Sequence, residues 1–362
     1  MSQPQATTQN LGHAAVRHYP LNAWYASAWD HEVGRNLLAK TVAGRPIVFY
    51  RTTAGRAVAL ADACWHRLAP LSMGKLRGDD EIMCGYHGIC YDADGRATFM
   101  PAQDTINPSA TVHSYPVVER HRYVWVWPGD PALADPATVP DLFWNDHPQW
   151  AGDGKTIHVN CSYQLIVDNL MDLTHETFVH ATSIGHRAIA ETTAATTHDE
   201  RTVTVTRWML DIDAPPFWRT QLGRPGNVDR WQIIRFEAPC TIVLDVGVAV
   251  AGTGARSGDR SQGVNGRVLN TITPETRSTC MYFWTLLRNY RLRDQSLTNQ
   301  LRDANARIFE EDRAVVEAQQ LALEAAPHDV IHNLNIDSGS VWARRIIERM
   351  VADERSPASA AS

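Results

Sequence analysis

The sequence has no apolar run of eighteen residues, since the best candidate, residues 241–250, is short and contains Asp245. A helix needs about 20 apolar residues to cross a membrane, so no membrane span is expected. Basic runs are absent too: 40 acidic and 34 basic residues are mixed along the chain, with a formal charge of −6. Nucleic acid is therefore not an expected partner. Residues 1–19 lack the apolar segment of a signal peptide, which predicts a cytoplasmic protein.

Cysteine is scarce, because 6 cysteines in 362 residues cannot form the dense disulfide framework of a small secreted protein. Cys90, Cys161, Cys240 and Cys280 lie among apolar or strand-like neighbours, and we expect them to be buried free thiols. With 44% hydrophobic and 20% charged residues, the composition is that of a globular chain with room for two domains.

The two other cysteines each lie beside a histidine in a short loop. Cys64 and His66 form the first pair, Cys84 and His87 form the second, and seventeen residues separate the pairs. If residues 64–66 are extended, side chains two positions apart point to the same side, so Cys64 and His66 can bind the same metal group. The two loops therefore predict a metal site.

Two metal groups fit a Cys2His2 set: a tetrahedral zinc ion, or a [2Fe–2S] cluster with two Cys on one iron and two His on the other. Zinc sites usually keep the cysteine pair and the histidine pair together, whereas each loop here supplies one of each. That pattern favours the cluster, with structural zinc as the alternative. Gly74, Gly85 and Gly88 suit backbone that turns tightly close to such a group.

A second group of candidate ligands follows later in the chain. Asn169, Asp172 and His175 are three residues apart and would share one face of a helix. His180 follows His175 by five residues, about 140° around an α-helix, so the helix must end, kink or widen between them if both bind one ion. This is not the zincin pattern, so Glu176 receives no role as a base. Two ordinary, partly buried histidines are the alternative.

Two histidines and one carboxylate on one face of Fe(II) form the triad of non-haem iron oxygenases, which leaves positions open for dioxygen. The carboxylate has to come from elsewhere in the chain. A helical pattern over residues 298–323 offers Glu310, Glu311 and Asp312 side by side. The residues alone leave the choice among these three acids open.

The first pattern, Cys64-x-His66-Arg-x-Ala-Pro-Leu-Ser-x-Gly with Cys84-Gly-Tyr-His87-Gly, resembles the Rieske domain of ring-modifying non-haem iron oxygenases. Trp65 stands where that family commonly has proline, and altered packing over the cluster is expected. The pattern Asn-x-x-Asp-x-x-His-x4-His resembles the vanillate O-demethylase and dicamba demethylase branch. Longer stretches at residues 168–179, 214–219, 229–233 and 334–337 are similar to vanillate demethylases.

The resemblance implies a ligand set for the mononuclear iron. His175 and His180 supply two ligands, and the second acid of the late Glu-Asp pair, Asp312, supplies the third. Glu311 is the second choice, and Glu310 is expected to lie on a solvated charged face.

The same resemblance implies a link between the two metal centres. Asp172 would hydrogen-bond a Rieske histidine of the neighbouring subunit, with His87 as the preferred partner. Asn169 would lie near the iron as a weak ligand or as a group that holds water.

As a whole, the resemblance implies the terminal oxygenase of a multicomponent aryl-ether demethylase, which converts vanillate and O2 to protocatechuate and formaldehyde. A separate NAD(P)H-dependent reductase with flavin and a plant-type [2Fe–2S] centre would supply electrons, and the oxygenase would be a homotrimer. Residues 215–219 are a candidate pocket wall, with a surface role for Arg219 as the alternative. The alternatives are a related oxygenase acting on another methoxy- or methyl-arene, a ring hydroxylase, and a Rieske electron carrier.

The predicted fold class is α+β. An N-terminal extension (1–19) precedes an all-β Rieske domain (20–127), and a Pro-rich junction (128–155) leads to the catalytic iron domain (156–353) and a flexible tail (354–362). The catalytic domain is expected to pack an antiparallel sheet against a long C-terminal helix, as in helix-grip folds. Strands are predicted at residues 47–50, 57–61, 123–127, 202–206, 241–250, 268–272 and 280–286, a hairpin turn at 91–96, and a mobile loop at 252–266.

Overall fold

The computed structural model describes residues 19–328 and 331–356. Residues 1–18 of the expected extension and residues 357–362 of the expected tail lie outside these described residues. The described part of the tail includes Glu354, whose carboxylate accepts from the Leu21 N–H at 2.8 Å. Across the described part, no helix has both the length and the apolar content that a membrane crossing requires. All six cysteines are buried and none forms a disulfide, which confirms the buried free thiols predicted at Cys90, Cys161, Cys240 and Cys280.

The N-terminal half is built from short strands, because β-branched and aromatic runs alternate there with turn residues. These strands form three antiparallel sheets, with strand orders β1-β10-β9, β2-β3-β4 and β5-β6-β7-β8. The strands are β1 (Tyr25–Trp29), β2 (Leu38–Val42), β3 (Arg45–Arg51), β4 (Ala57–Ala61), β5 (Lys75–Arg77), β6 (Glu81–Met83), β7 (Cys90–Tyr91), β8 (Ala97–Phe99), β9 (Val117–Arg120) and β10 (Tyr123–Val126). The predicted turn between β7 and β8 is present, with Gly95 at φ +81°.

The C-terminal half is one seven-stranded antiparallel sheet with helices, in strand order β11-β17-β16-β15-β14-β13-β12. The strands are β11 (Ala151–Val159), β12 (Ala195–His198), β13 (Thr202–Ile212), β14 (Val228–Glu237), β15 (Thr241–Val250), β16 (Gly263–Pro274) and β17 (Cys280–Arg288). The helices are α1 (Tyr163–Met171), α2 (Arg187–Glu191), α3 (Pro216–Leu222), α4 (Gln295–Ala325) and α5 (Ser338–Asp353).

Helix α4 packs against the sheet, which confirms the α+β prediction. The ring of Phe309 lies 5.1 Å from that of Tyr282 and 5.2 Å from that of Trp284, centroid to centroid. The buried Arg288 of β17 donates from Nη1 to Thr298 Oγ1 at 2.9 Å. These contacts hold the long helix against β17 and leave Asp312 buried, while Glu310 and Glu311 are exposed.

The two halves share one hydrophobic core. Tyr25 and Phe49 from the N-terminal strands belong to the same buried cluster as Ile272 and Trp284 from the large sheet. Contacts between β1 and β16 join the halves as well. The second candidate metal site lies against this shared core, through Leu173 and Phe309. The two Cys–His loops rest on a separate buried cluster in the N-terminal half, which includes Leu71 and Tyr91.

Some element boundaries differ from the prediction. The expected loop at residues 252–266 is shorter, because β16 begins at Gly263 and pairs with β15 from there. Strand β11 begins at Ala151, inside the segment predicted as a Pro-rich junction, and pairs with β17 along its whole length. Strand β14 and helix α5 were not predicted.

Candidate active site and metal centres

Two loops at one end of the N-terminal half close in the same way. In each loop the cysteine N–H donates to the carbonyl five residues later, at 2.9 Å for Cys64 and 2.8 Å for Cys84. The cysteine carbonyl also accepts from the amide four residues later, at 2.9 Å from Leu68 and 3.0 Å from Gly88. Leu68 and Gly88 both have a left-handed backbone conformation, at φ +57° and +76°. The loops thus present their donors in matched positions.

The four donors of these loops separate into an inner and an outer pair. Cys64 and Cys84 are each 2% exposed, whereas His66 and His87 are exposed with ring centroids 4.7 Å apart. Burial raises the pKa of the Cys64 thiol, and the Tyr91 hydroxyl, 3.1 Å from Sγ, acts in the opposite direction. The thiols therefore lie in the interior while the imidazoles reach the surface.

This donor set fits a two-iron cluster better than a single ion. Among the residues that the structure describes, the one group of three such donors with ligand atoms within 4.8 Å of one another is His175, His180 and Asp312. The Cys2His2 donors are spread more widely, with thiols on one side and imidazoles on the other. One zinc ion would draw all four to a single point, whereas a [2Fe–2S] group gives each pair its own iron.

The loops touch through two glycines, which explains why no side chain is present at either position. A Cβ on Gly85 would lie 2.6 Å from Met73 O, and one on Gly74 would collide with Met83 O. Each contact is with backbone, which cannot move aside cheaply. Gly74 and Gly85 therefore set the distance between the two halves of the candidate cluster site.

The segment that carries the second group of donors is not one helix, which corrects the expectation that Asn169, Asp172 and His175 share a helical face. Helix α1 ends at Met171, because Asp172 turns the chain at φ −130° and ψ 105°. The Asp172 carboxylate then accepts from Thr174 N–H at 3.0 Å and from its hydroxyl at 2.6 Å, which caps a short 3-10 turn. The helix was predicted to end, kink or widen between His175 and His180. Helix α1 ends before both histidines, and the 3-10 turn Leu173–Thr177 ends between them.

The break brings two imidazoles and one carboxylate together. Asp312 Oδ1 lies 3.3 Å from His175 Nε2 and 3.1 Å from His180 Nε2. Asn169 Nδ2 donates to the same oxygen at 3.1 Å. His180 and Asp312 are buried, so these donors are largely shielded from water. Two imidazoles and one carboxylate form a donor set that fits Fe(II) with open positions.

The other nitrogen of each imidazole has its own acceptor. His175 Nδ1 donates to the carbonyl of Asp172 at 2.7 Å, and His180 Nδ1 donates to Glu311 Oε2 at 2.6 Å. Such bonds fix the tautomer and leave Nε2 free to bind a metal. Glu311 thus touches the far side of a histidine, while Asp312 faces both Nε2 atoms. Glu310 pairs with Arg313 on the exposed face, as expected.

Electrostatics at the triad follow from this geometry. Burial lowers the pKa of His180, but bonds to Asp312 and Glu311 outweigh it and raise the pKa to about 8. Burial also opposes ionisation of Asp312, yet His175 and His180 hold its pKa well below the usual range. The carboxylate is therefore ionised at neutral pH and ready to bind a cation.

An apolar pocket opens beside the triad. Phe217 and Trp218 of α3 form one wall, as predicted for residues 215–219, and Leu301 and Phe309 of α4 form another. Arg219 points elsewhere and pairs with Asp213 at 2.6 Å on the surface. The pocket offers an apolar slot that ends at the triad, which suits an aromatic molecule.

A buried polar network in the wall of the pocket was not predicted. Glu176 accepts from Arg230 Nη2 and from Gln232 Nε2, both at 2.9 Å. Arg207 donates to Gln232 at 3.1 Å and to Thr174 Oγ1 at 2.9 Å, so the network reaches the residue that donates to the Asp172 carboxylate. The available signal was the pair of polar residues at 230 and 232, which lie two positions apart and so on the same face of a strand.

Known proteins share both halves of this architecture. Residues 23–116 match the Rieske [2Fe-2S] domain, and residues 159–353 match the vanillate O-demethylase oxygenase C-terminal domain. Vanillate O-demethylase oxygenase subunits from two Pseudomonas strains are 42% identical over 95% of this chain and 98% of theirs, and 45% identical over 85% and 95%. The crystal structure of dicamba monooxygenase bound to 3,6-dichlorosalicylic acid has a TM-score of 0.88 at 32% identity, covering 94% of this chain and 99% of that chain.

The fold and its two groups of metal donors define a Rieske-type non-haem iron oxygenase. Within that class, the chain belongs to the vanillate O-demethylase oxygenase family. It is a terminal oxygenase, and its cofactors are a Rieske [2Fe–2S] cluster and a mononuclear iron.

Proposed function

We propose that this oxygenase O-demethylates a methoxylated aromatic acid, with vanillate as the substrate and protocatechuate and formaldehyde as the products. The observation that carries the proposal is the apolar pocket that ends at His175, His180 and Asp312. The similarity to two vanillate O-demethylase oxygenase subunits along most of the chain supports this choice of substrate.

In this proposal, Cys64, His66, Cys84 and His87 hold the [2Fe–2S] cluster. The buried thiols and exposed imidazoles described above support that assignment, because they place the histidine side of the cluster at the surface. Electrons from a partner can then enter or leave through the imidazoles.

His175, His180 and Asp312 are assigned to the mononuclear iron. When bound, the two cofactors supply electrons and activate dioxygen, so that the methoxy carbon is hydroxylated. The hemiacetal that results breaks its C–O bond to the ring oxygen and releases the phenol and formaldehyde. The chain's own residues keep the donors in place: the Asp172 carbonyl orients His175, and Asn169 donates to Asp312 Oδ1.

Asp172 is assigned as the link between cluster and iron, through a hydrogen bond to His87 of a neighbouring copy. Its Oδ1 is held by Thr174, and its backbone carbonyl holds His175, so the residue already contacts the iron side of the link. A carboxylate has a second oxygen with which it can accept from an imidazole N–H.

The proposal also includes partners. A separate NAD(P)H-dependent reductase with flavin and a [2Fe–2S] centre supplies the electrons, and the oxygenase works as a homotrimer in the cytoplasm, where NAD(P)H is made. The exposed histidines at the cluster loops support transfer between chains, because they can reach a neighbouring molecule.

A single turnover tests the function directly. The protein is loaded with Fe(II), reduced chemically without any reductase, and mixed with vanillate and O2. Formaldehyde with protocatechuate is the expected result. Reoxidation of the cluster with neither product would overturn vanillate as the substrate, and a screen of other methoxy- and methyl-arenes would follow.

A further inference from the structure

One buried polar atom in the pocket has no partner. Among the described residues, Nδ2 of Asn305 is buried without a hydrogen bond, and Asn305 is a residue that lines the pocket. The other buried side-chain atoms of this kind belong to residues that do not line it. An amide nitrogen carries two donor hydrogens, and a buried donor left unpaired is costly. A ligand that brings an acceptor into the pocket would remove that cost.

The position of Asn305 relative to the triad limits what that acceptor can be. Asn305, Ile308, Phe309 and Asp312 all line the pocket from one face of α4. Seven residues of α-helix advance about 10.5 Å, so the amide lies two turns from the carboxylate at the metal end. An aromatic acid placed with its methoxy carbon at the triad would direct its far end along this face.

The other strong hydrogen-bond donor in the pocket, Arg230, is not available to the end of the aromatic acid that lies away from the triad. Arg230 lines the pocket, but its guanidinium donates to Glu176 at 2.9 Å and to the carbonyl of Ile184 at 3.1 Å. Glu176 neutralises its charge in the interior. Most of the remaining lining of the pocket is apolar, with side chains such as Phe217 and Leu301.

We propose that Asn305 is a specificity-determining residue whose Nδ2 donates a hydrogen bond to the carboxylate of the aromatic acid. The assignment rests on the proposed function. The carboxylate, not the phenol, is the acceptor, because the phenol of vanillate neighbours the methoxy group and would lie near the triad. Asn305 then selects acids over neutral arenes and positions the methoxy carbon at the metal end of the pocket.

Binding to the resting protein, measured by titration calorimetry, tests this assignment without turnover. The ligands are vanillate and 4-methylguaiacol, which has a methyl group in place of the carboxylate and therefore offers Asn305 no acceptor at that end. Loss of a hydrogen bond to a charged group predicts about 10- to 100-fold weaker binding of vanillate by Asn305→Leu, with 4-methylguaiacol changed less than about 3-fold. Asn305→Asp should weaken vanillate further, because two carboxylates would face each other.

Asn299→Leu is the matched control, since Asn299 lies on the same helix but is exposed and does not line the pocket. It should bind both ligands as the wild type does. The assignment to Asn305 is overturned if Asn305→Leu binds vanillate like the wild type, or loses both ligands equally. If the wild type neither binds nor demethylates vanillate, the proposed function is overturned as well. That result comes from the wild type alone, so it is distinct from a failure of the Asn305 assignment, which needs the variants.

Discussion

Single hydrogen bonds decide which atoms of the mononuclear centre are available to a metal. His175 and His180 each donate from Nδ1, one to a backbone carbonyl and one to Glu311. Each imidazole therefore presents Nε2 to Asp312, and the two acids at 311 and 312 have different positions around the same ring. The acid that orients a histidine and the acid that binds the ion can be separated by experiment.

Asp312→Ala is expected to lose the mononuclear iron and keep the cluster, because only two imidazoles would remain. Glu311→Gln should retain the iron with an affinity about 10- to 100-fold weaker, since Glu311 only orients His180. Iron and acid-labile sulfide per chain, read together with the visible spectrum, distinguish the two sites. Iron retained in Asp312→Ala but lost in Glu311→Gln would move the third ligand to Glu311.

Asp172→Asn should leave both metal centres loaded and lower turnover by about 100-fold or more, because a small error in positioning has that effect on rate. The amide oxygen can still accept from Thr174, so the turn after α1 should persist. Turnover and metal content of the same preparation are the measurement, with the exposed Asp213→Asn as control. Unchanged turnover would remove Asp172 from the electron path.

Sequence spacing nominated the two cluster loops and the two histidines of the second site, while the choice of Asp312 over its two neighbouring acids came from the family resemblance. His175, His180 and Asp312 lie together, as that resemblance implied. Asn305 could not be predicted, because a missing hydrogen-bond partner is a property of the packed structure and not of residue order. Glu176 is buried against Arg230, a pairing that also depends on which strand faces which turn.

At the scale of elements, the two cluster loops pack with their backbones in close contact at Gly74 and Gly85. Gly74→Ala and Gly85→Ala should each destabilise the protein by about 1 to 3 kcal/mol and reduce the cluster per chain, because the new methyl meets backbone of the other loop. The iron at the triad should be kept. Sulfide content and thermal unfolding are measured, with Gly34→Ala as the control, since a Cβ there meets nothing. Full cluster occupancy in both variants would contradict this account of the loops.

Elements with strong local patterns were predicted, and elements defined by packing were not. Strands β4 and β15 have the predicted bounds, and α4 is longer than predicted by three residues at its start and two at its end. Helix α5 starts with Ser, Gly and Ser, which are weak helix formers, and it is held by Arg344 Nε, 2.9 Å from Asp168 Oδ1 on α1. The end of α1 could not be predicted from the sequence, because apolar residues continue on both sides of Asp172.

At the scale of the whole molecule, the cluster loops form an exposed apolar end. Leu68, Met73 and Tyr86 are 73%, 77% and 67% exposed, next to the outward-facing His66 and His87. Exposed apolar side chains grouped in this way mark an interaction surface. In the proposed trimer this surface faces the iron domain of the next copy, so one chain's cluster would serve another chain's iron.

Mixed trimers test that arrangement. Cys84→Ser removes the cluster, Asp312→Ala removes the iron, and each variant alone should be inactive. The two variants are co-expressed with different affinity tags and purified through both tags, so every trimer contains both. In a cyclic trimer with either composition, two to one or one to two, there is one interface at which an intact cluster faces an intact iron. Transfer between chains therefore predicts about one third of wild-type turnover. Transfer within a chain predicts none, and wild type carrying both tags controls for the purification.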